Sequence, residues 1–339
     1  MKCSYKVILT ALLLIQAVLL IHLSWSTSPN RTEISHIGAT VYFLNTGKID
    51  VFTVNPPLVR IVAGIPLVLF CKPIYDLSGC SASQLVRSEW KLGNDFIEAN
   101  EFENLRFYVF ITRMFCIPYV LIGGYVGFRF TSELYCERSC IIFLILWTFS
   151  PYILGWGATI CPDVAAASMG IVGLYFLWNW LKNPKWDKAI IAGICLGPMS
   201  LTKLTWIIVF PLWIVIGGIL FFRCKREIIL SIAEQLFTII FLGISTINAG
   251  YFFDGSPQQL GTYRFYSTTL SGKQLSDSRV IPDNRFANSI FCYTPVPLPK
   301  DFVNGIDTQK FDFDCGMDSY ARSMIESRLV VVLRICFVS

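Results

Sequence analysis

Seven times between residues 7 and 250 the chain turns apolar for about the length that crosses a bilayer. The runs fall at about 7–25, 107–128, 140–158, 164–181, 189–203, 204–222 and 228–250. A spanning helix takes roughly 20 predominantly apolar residues, because in hydrocarbon each backbone N–H and C=O must be paired within the segment. Composition agrees: 54% of the 339 residues are hydrophobic and 15% charged, against about 25% charged in a soluble domain. The chain therefore reads as an all-α polytopic membrane protein with about seven transmembrane helices. The 189–203 run is short and carries Gly193, Gly197 and Pro198, so its ends are the least sharply marked. Neither an internal repeat nor a low-complexity tract is visible.

Positive charge sets the threading. A net charge of +5 would point to nucleic acid in a soluble protein, but its distribution has a membrane explanation. Lys2 and Lys6 flank the first run, Lys182, Lys185 and Lys188 share one short loop, and Arg223, Lys225 and Arg226 share another. Lys and Arg gather in cytoplasmic loops, so these clusters go inside, as do Arg129 and Arg138. The rest follows consistently, with residues 26–106, the 159–163 turn and 251–339 outside. The expected organisation is a transmembrane core over 1–250 with an outer loop at 26–106, then an extracytoplasmic segment over 251–339. No nucleic-acid partner is expected. The first run also has features of a cleaved signal peptide, since Lys2 and Lys6 precede its apolar core; its length and the lack of a small-x-small site favour a retained span.

The twelve cysteines show no metal spacing. Cys116, Cys140, Cys161, Cys195 and Cys224 lie in or beside apolar runs, where cysteine behaves as a small hydrophobe. Cys71, Cys80, Cys292 and Cys315 fall on the outer side, where disulfides are permitted, and a Cys71–Cys80 bridge is one option.

The threading also sorts the ionisable residues by side. Glu33, soon after the first run, Asp163, in "GATICPDVAAASMG", and Lys203, in "LTKLTW", all belong to the outer side although far apart in sequence. Charged groups at membrane depth are costly and normally pair or line a polar cavity. Each has a plainer explanation: Glu33 opening a helix at 34–44, Asp163 capping the next helix, Lys203 snorkelling. Their coincidence on one side is the argument for a site. His36 lies one turn after Glu33, and with Asp163 the pair could hold a hard cation weakly. No Gly-x-Ser-x-Gly elbow or phosphate-binding glycine loop is present.

The stretch "KIDVFTVNPPLVRIVAGIPLVL", residues 48–69, completes this side. Pro56 and Pro57 fix φ and hold Asn55 extended, ending one segment and starting another. The apolar run that follows is too short to span. A surface helix at 34–44, the Asn-Pro-Pro-Leu corner and a second surface helix over 58–70 would form a rigid shelf on the outer leaflet. Such a shelf suits a substrate with a greasy tail and a polar head.

Taken together, these motifs resemble the GT-C superfamily of membrane glycosyltransferases. They are most similar to the branch containing dolichyl-phosphate-mannose–protein mannosyltransferases and lipid A aminoarabinose transferases. Those mannosyltransferases carry an Asp-Glu pair in the first outer loop and a His-Pro-Pro-Leu motif further along; this chain has Thr32-Glu33 and Asn55-Pro56-Pro57-Leu58. The family's second acidic residue matches Asp163, and a basic residue that meets the lipid phosphate matches Lys203. The stretches "SPYILGWGATICPD…LTKLTW" and "NAGYFFDG…YRF…PVPLPKDFVNGIDTQK" resemble a bacterial, planctomycete-like subgroup. The likeness runs to about residue 320.

The resemblance implies an inner-membrane enzyme that moves a sugar from a polyprenyl-phosphate donor to an extracytoplasmic acceptor. Under it, Glu33 takes the acceptor's proton. Lys203 neutralises the departing phosphate with help from Arg60, while Asn55 and His36 contact substrate. Asp163 orients the acceptor or helps hold a divalent cation; no other cofactor is implied. The chain departs from the family in two places. Thr32 stands where the usual catalytic Asp would be, and the sequence stops at Ser339 where relatives continue beyond a Ser-Tyr segment like Ser319-Tyr320 into further spans. The apolar run Leu329 to Val338 is only about half a spanning length, so a shortened product is expected. A transporter of lipid-linked sugars, or a non-catalytic scaffold descended from such an enzyme, are the rival readings.

Overall fold

A computed structural model describes residues 3–71, 73, 89–223, 226–273 and 282–315. The chain is mostly helical, and divides into two units, Met1–Asp254 and Gly255–Ser339.

The first unit opens with α1 (Cys3–Ser26), followed by α2 (Arg31–Thr46). α2 begins with a reciprocal cap: the Asn30 side chain accepts from the Glu33 N–H at 2.9 Å, and the Glu33 carboxylate accepts from the Asn30 N–H at 3.0 Å. It ends at Gly47, whose φ of 71° suits a residue without Cβ. The helix expected at 34–44 is therefore present, but it is not a surface helix. Residues Glu33 through Tyr42 are buried, because α3 (Leu58–Pro66) and α4 (Glu89–Ala99) pack on it. A Cβ on Gly38 would lie 2.9 Å from the Leu92 carbonyl oxygen, and one on Gly93 3.0 Å from the Ser35 hydroxyl. That close approach brings α4 onto α2.

α3 starts on Pro57 and continues as a π-helical turn over Leu67–Cys71. Val59, Arg60, Ala63 and Leu67 face inward, whereas Ile65, Val68, Leu69 and Phe70 are exposed. Its one basic residue therefore points into the protein, and its outer side is greasy. The bridge weighed between Cys71 and Cys80 lies outside the described residues, because Cys80 does.

The bundle proper follows: α5 (Phe102–Met114), α6 (Ile117–Leu134), α7 (Glu137–Phe149), α8 (Pro151–Gly157), α9 (Pro162–Lys182), α10 (Trp186–Thr202), α11 (Val209–Arg223) and α12 (Arg226–Gly250). Among the described residues, four helical stretches are long and apolar enough to cross a membrane: Tyr5–Ser26, Asn104–Leu134, Pro162–Lys182 and Ile229–Gly250. The expected 140–158 run is a bent pair, α7 and α8, breaking by 52° at Ser150-Pro151. The other two expected runs are shorter than a single spanning helix. The 189–203 run becomes the 17-residue α10 with Pro198 inside it, and 204–222 becomes a 3-10 turn (Leu204–Ile208) followed by the 15-residue α11.

Side-chain contacts show how the helices run. Leu9 packs with Phe128 and Leu20 with Ile117 and Val120, so α1 and α6 are antiparallel. Val120 meets Val164, and Phe130 meets Tyr175 and Trp178, so α9 runs with α6. α10 returns, placing Lys188 against the Asn179 carbonyl and Lys203 against Asp163. The next segment runs with α9, from Trp206 beside Ala166 to Trp213 beside Trp180. α12 then lies along α10: Gly193 faces Ile239 and Leu242, Gly197 faces Thr246, and Gly250 faces Leu201. Small residues at these crossings let backbones approach, the main source of close packing between apolar helices. One end of the unit thus collects residues 24–33, 113, 160–163, 203 and 250. The other collects the starts of α1, α7, α10 and α12 and the ends of α6, α9 and α11, and with them Lys6, Arg129, Arg138, Lys182, Lys185, Lys188 and Arg226.

The second unit pairs Gln258–Gln259 antiparallel with Pro295–Val296 and contains a single-turn α13 (Thr268–Ser271) and α14 (Lys300–Cys315). Asp307 of α14, itself buried, accepts the backbone N–H groups of Tyr266 and Ser267 at 2.6 and 3.1 Å, and Asp314 accepts that of Thr268 at 2.9 Å. These carboxylates fix the turn that precedes and opens α13. The Ser319-Tyr320 segment and the apolar run ending at Val338 lie outside the described residues.

Candidate functional site

Glu33 sits at the first of the two ends, with side-chain exposure of 0%, against Arg113 with 1%. Arg113 Nε donates to Glu33 Oε1 at 2.8 Å and Nη2 to Oε2 at 2.7 Å, the two-pronged geometry that suits a guanidinium. The remaining Arg113 N–H groups meet the carbonyls of Ser24, Thr27 and Ser28 at 2.9, 2.9 and 3.3 Å. Glu33 also accepts from the Ile160 N–H at 3.2 Å and, through the cap, from Asn30. One ion pair therefore ties the end of α1, the start of α2, the end of α5 and the segment leading into α9.

This arrangement changes the role expected of Glu33. A base needs a free lone pair and a route to substrate. Both Glu33 oxygens already hold two donors each, and the residue is sealed from solvent. It is a junction between elements.

Asp163 lies three residues past Ile160, in the first turn of α9. The N-cap position belongs to Cys161, which makes no side-chain cap bond, so Asp163 is not the cap it could have been. Its carboxylate accepts from Lys203 Nζ at 2.7 Å, and the two side chains are 32% and 33% exposed. Lys203 has extended backbone, φ −153° and ψ 134°, that ends α10; its ammonium reaches across to Asp163 instead of extending away. Just beyond, the Trp206 indole N–H donates to the Ala166 carbonyl at 3.1 Å and holds the 3-10 turn on α9. Cys161 connects the two carboxylates: burial first, then the Glu33 charge and, more weakly, that of Asp163, push its thiol up to about 11.

Arg60, Asn55 and His36 form another cluster. Arg60 is buried, and its guanidinium donates to the carbonyls of Phe52 at 2.8 Å, Asn55 at 2.8 Å and Val51 at 3.4 Å. The help expected from Arg60 in meeting a phosphate is therefore not what its contacts describe: it clamps the turn before α3. Phe52 is held in a left-handed conformation, φ 63°, stacked on the His36 ring at 4.3 Å. A bulky residue in that region is strained, and the Arg60 clamp on its carbonyl opposes relaxation. His36 is buried with no partner for either ring nitrogen; desolvation, then the nearby Arg60 charge, lower its pKa to about 3. Imidazole there is neutral. Thr40, Arg60, Thr112 and Ile160 line a narrow crevice with no room for a water molecule.

Among the described residues no group of three or more His, Cys, Asp or Glu side chains could hold a metal ion. Glu33, His36 and Asp163 do not assemble the cation site weighed from the sequence. The sequence signal for Arg113 is its place inside the 107–128 apolar run, where a buried arginine demands an acidic partner.

The chain matches no family model, no curated protein and no solved structure.

Proposed function

We propose that this chain is a membrane glycosyltransferase of GT-C type, moving a sugar from a polyprenyl-phosphate donor to an extracytoplasmic acceptor. In this reading the bent pair, α10 and the Leu204–Arg223 segment also cross the bilayer, giving seven passes. The alternating helix directions support it, as does the gathering of the basic clusters at one end. α3, with its exposed Ile65, Val68, Leu69 and Phe70, lies along the outer leaflet of an inner membrane.

The observation that carries the reading is the half-open Asp163–Lys203 pair at the end opposite those basic clusters. A lipid phosphate arriving there competes with Asp163 for the Lys203 ammonium, and the contact it gains is charge-assisted. Asp163, released, is the base. The acceptor's hydroxyl oxygen attacks the anomeric carbon, its proton passes to Asp163, and the carbon–oxygen bond to phosphate breaks with the electron pair leaving on the phosphate. Glu33 and Arg113 keep α1, α2, α5 and the α9 entry in register around the reacting groups. Asp163 is preferred over Glu33 because it is partly exposed and because its single described cation partner can be exchanged.

The test is transfer of labelled sugar from a polyprenyl-phosphate donor by the purified chain in liposomes. Asp163→Asn should abolish transfer while donor binding persists. Lys203→Ala should weaken donor binding by roughly 10- to 100-fold, corresponding to loss of a contact worth about 1.5–3 kcal/mol. Wild-type turnover in Asp163→Asn would remove the base assignment. A second reading, carriage of the lipid-linked sugar across the membrane, draws on the 52° break between α7 and α8, since broken helices line transport sites. Movement of intact donor between leaflets without glycosylated product would favour it.

A further inference from the structure

The second unit holds a greasy tip out into its surroundings on a rigid base. Ile290 is 89% exposed, Phe291 54% and Tyr293 78%, in the sequence Ser289-Ile290-Phe291-Cys292-Tyr293-Thr294. This exposure is not the result of a loose loop. The Leu260 N–H donates to the Thr294 carbonyl and the Gly261 N–H to the Cys292 carbonyl, both at 2.9 Å. The Asn284 amide donates to the carbonyls of Leu260 and Tyr263 at 2.8 and 3.0 Å, and its oxygen receives the Phe286 N–H at 2.8 Å. Ser289 bonds back to Phe286 and receives the Phe291 N–H. The loop is therefore held at both flanks and across its base, and only its apolar side chains lack protein around them.

We infer that this tip is a membrane anchor, inserting Ile290, Phe291 and Tyr293 at the lipid–water boundary. Three arguments select lipid over a protein partner. The unit begins at Gly255, directly behind Gly250 at the end of a helix long and apolar enough to cross a bilayer, so the chain enters it at the membrane surface. The side chains are two aromatics and one aliphatic, the mixture that belts the bilayer boundary, with the Tyr hydroxyl suited to the wet side. From Asn288 to Pro299 the sequence carries no charged residue, so the tip segment itself brings no charge into the headgroup layer and offers no ion pair to a protein. The inference rests on the chain being membrane-borne and is independent of sugar transfer.

The experiment uses the full chain in phosphatidylcholine vesicles containing a tritiated acyl-chain lipid. A diazirine amino acid is placed in turn at Ile290, at Tyr293 and, as a reference, at Gln259 on the exposed side of the strand pair. Photolysis should label the chain with lipid at least five-fold more from positions 290 and 293 than from 259. Because all three sites are exposed, the substitutions leave the packing untouched. Equal labelling at the three positions overturns the anchor. So does a dominant adduct with a second copy of the chain, or with the apolar run ending at Val338. The combined variant Ile290→Ser, Phe291→Ser, Tyr293→Ser should fold and retain α14 amide protection, while a nitroxide-labelled lipid no longer broadens signals from the 289–294 backbone. Retained broadening in that variant would equally overturn it.

Discussion

At the scale of single residues, the Glu33–Arg113 pair is the most consequential contact described. Removing one member of a buried ion pair leaves the other charged and unpartnered, typically at about 3–5 kcal/mol. Arg113→Met should therefore lower the thermal midpoint of the detergent-solubilised chain sharply, because the Ser24, Thr27 and Ser28 carbonyls lose their donor as well. Glu33→Gln combined with Arg113→Met should cost less than the sum of the single changes; strict additivity in that double-mutant cycle would show the pair is not coupled. His36 gives a second outcome, this one dependent on pH. Its folded pKa of about 3 is below the free value of 6.5, so between these values the unfolded chain takes up a proton that the folded chain refuses. Stability is then full above pH 6.5 and falls as the pH drops toward 3. His36→Phe keeps the stack on Phe52, removes two unpaired nitrogens and should flatten that slope in melts run from pH 7 to 5. The sequence places Glu33 on the outer side, at the start of a surface helix and as a base, and does not mark it as buried. Its partner, Arg113, lies inside an apolar run, and the choice between base and junction depends on how many donors surround the carboxylate, which only the fold determines.

Helices as units were largely legible, because an apolar run of about twenty residues has few other structures open to it. What was hidden is how helices cover one another. The α2 sequence, Arg31 to Thr46, mixes small, polar and apolar residues and reads as a surface segment. It is interior because Gly38 and Gly93 let α4 close over one side while Thr40 receives α3 on another, its hydroxyl donating to the Arg60 carbonyl at 2.9 Å. That is information about distant partners, and no local period carries it. The break at Ser150-Pro151 was legible in principle, since proline disfavours helix at the residue before it. Gly38→Val tests the α2–α4 contact. Its Cβ would press on backbone atoms of Leu92, which cannot swing aside as a side chain could. α4 must shift, at a cost of about 1–3 kcal/mol. Hydrogen exchange across Glu89–Ala99 should accelerate while exchange in α9 and α10 stays at the wild-type rate. Unchanged exchange in α4 would show that the interface tolerates the methyl groups.

For the first unit as a whole, two independent lines of reasoning describe one polarity. Counting Lys and Arg in short loops sends Lys182, Lys185 and Lys188 to the side opposite Glu33 and Asp163, without reference to any contact. Packing does the same without reference to the loop count: Arg113 reaches the carbonyls at the end of α1, Lys203 reaches the start of α9, and the Phe130, Tyr175 and Trp178 rings meet at the far ends of α6 and α9. Ser28 and Asn183, both exposed, mark the two ends. In a chain stripped of its native cysteines, Ser28→Cys should react with a membrane-impermeant maleimide on intact cells, and Asn183→Cys should react only after permeabilisation. The two possible failures have different meanings. If both positions reacted from outside, the alternation of helix directions would not correspond to membrane crossings, and the seven-pass reading would fall. If Asn183 reacted and Ser28 did not, the bundle would stand but face the other way, placing the Asp163–Lys203 pair in the cytoplasm, where an extracytoplasmic acceptor could not reach it.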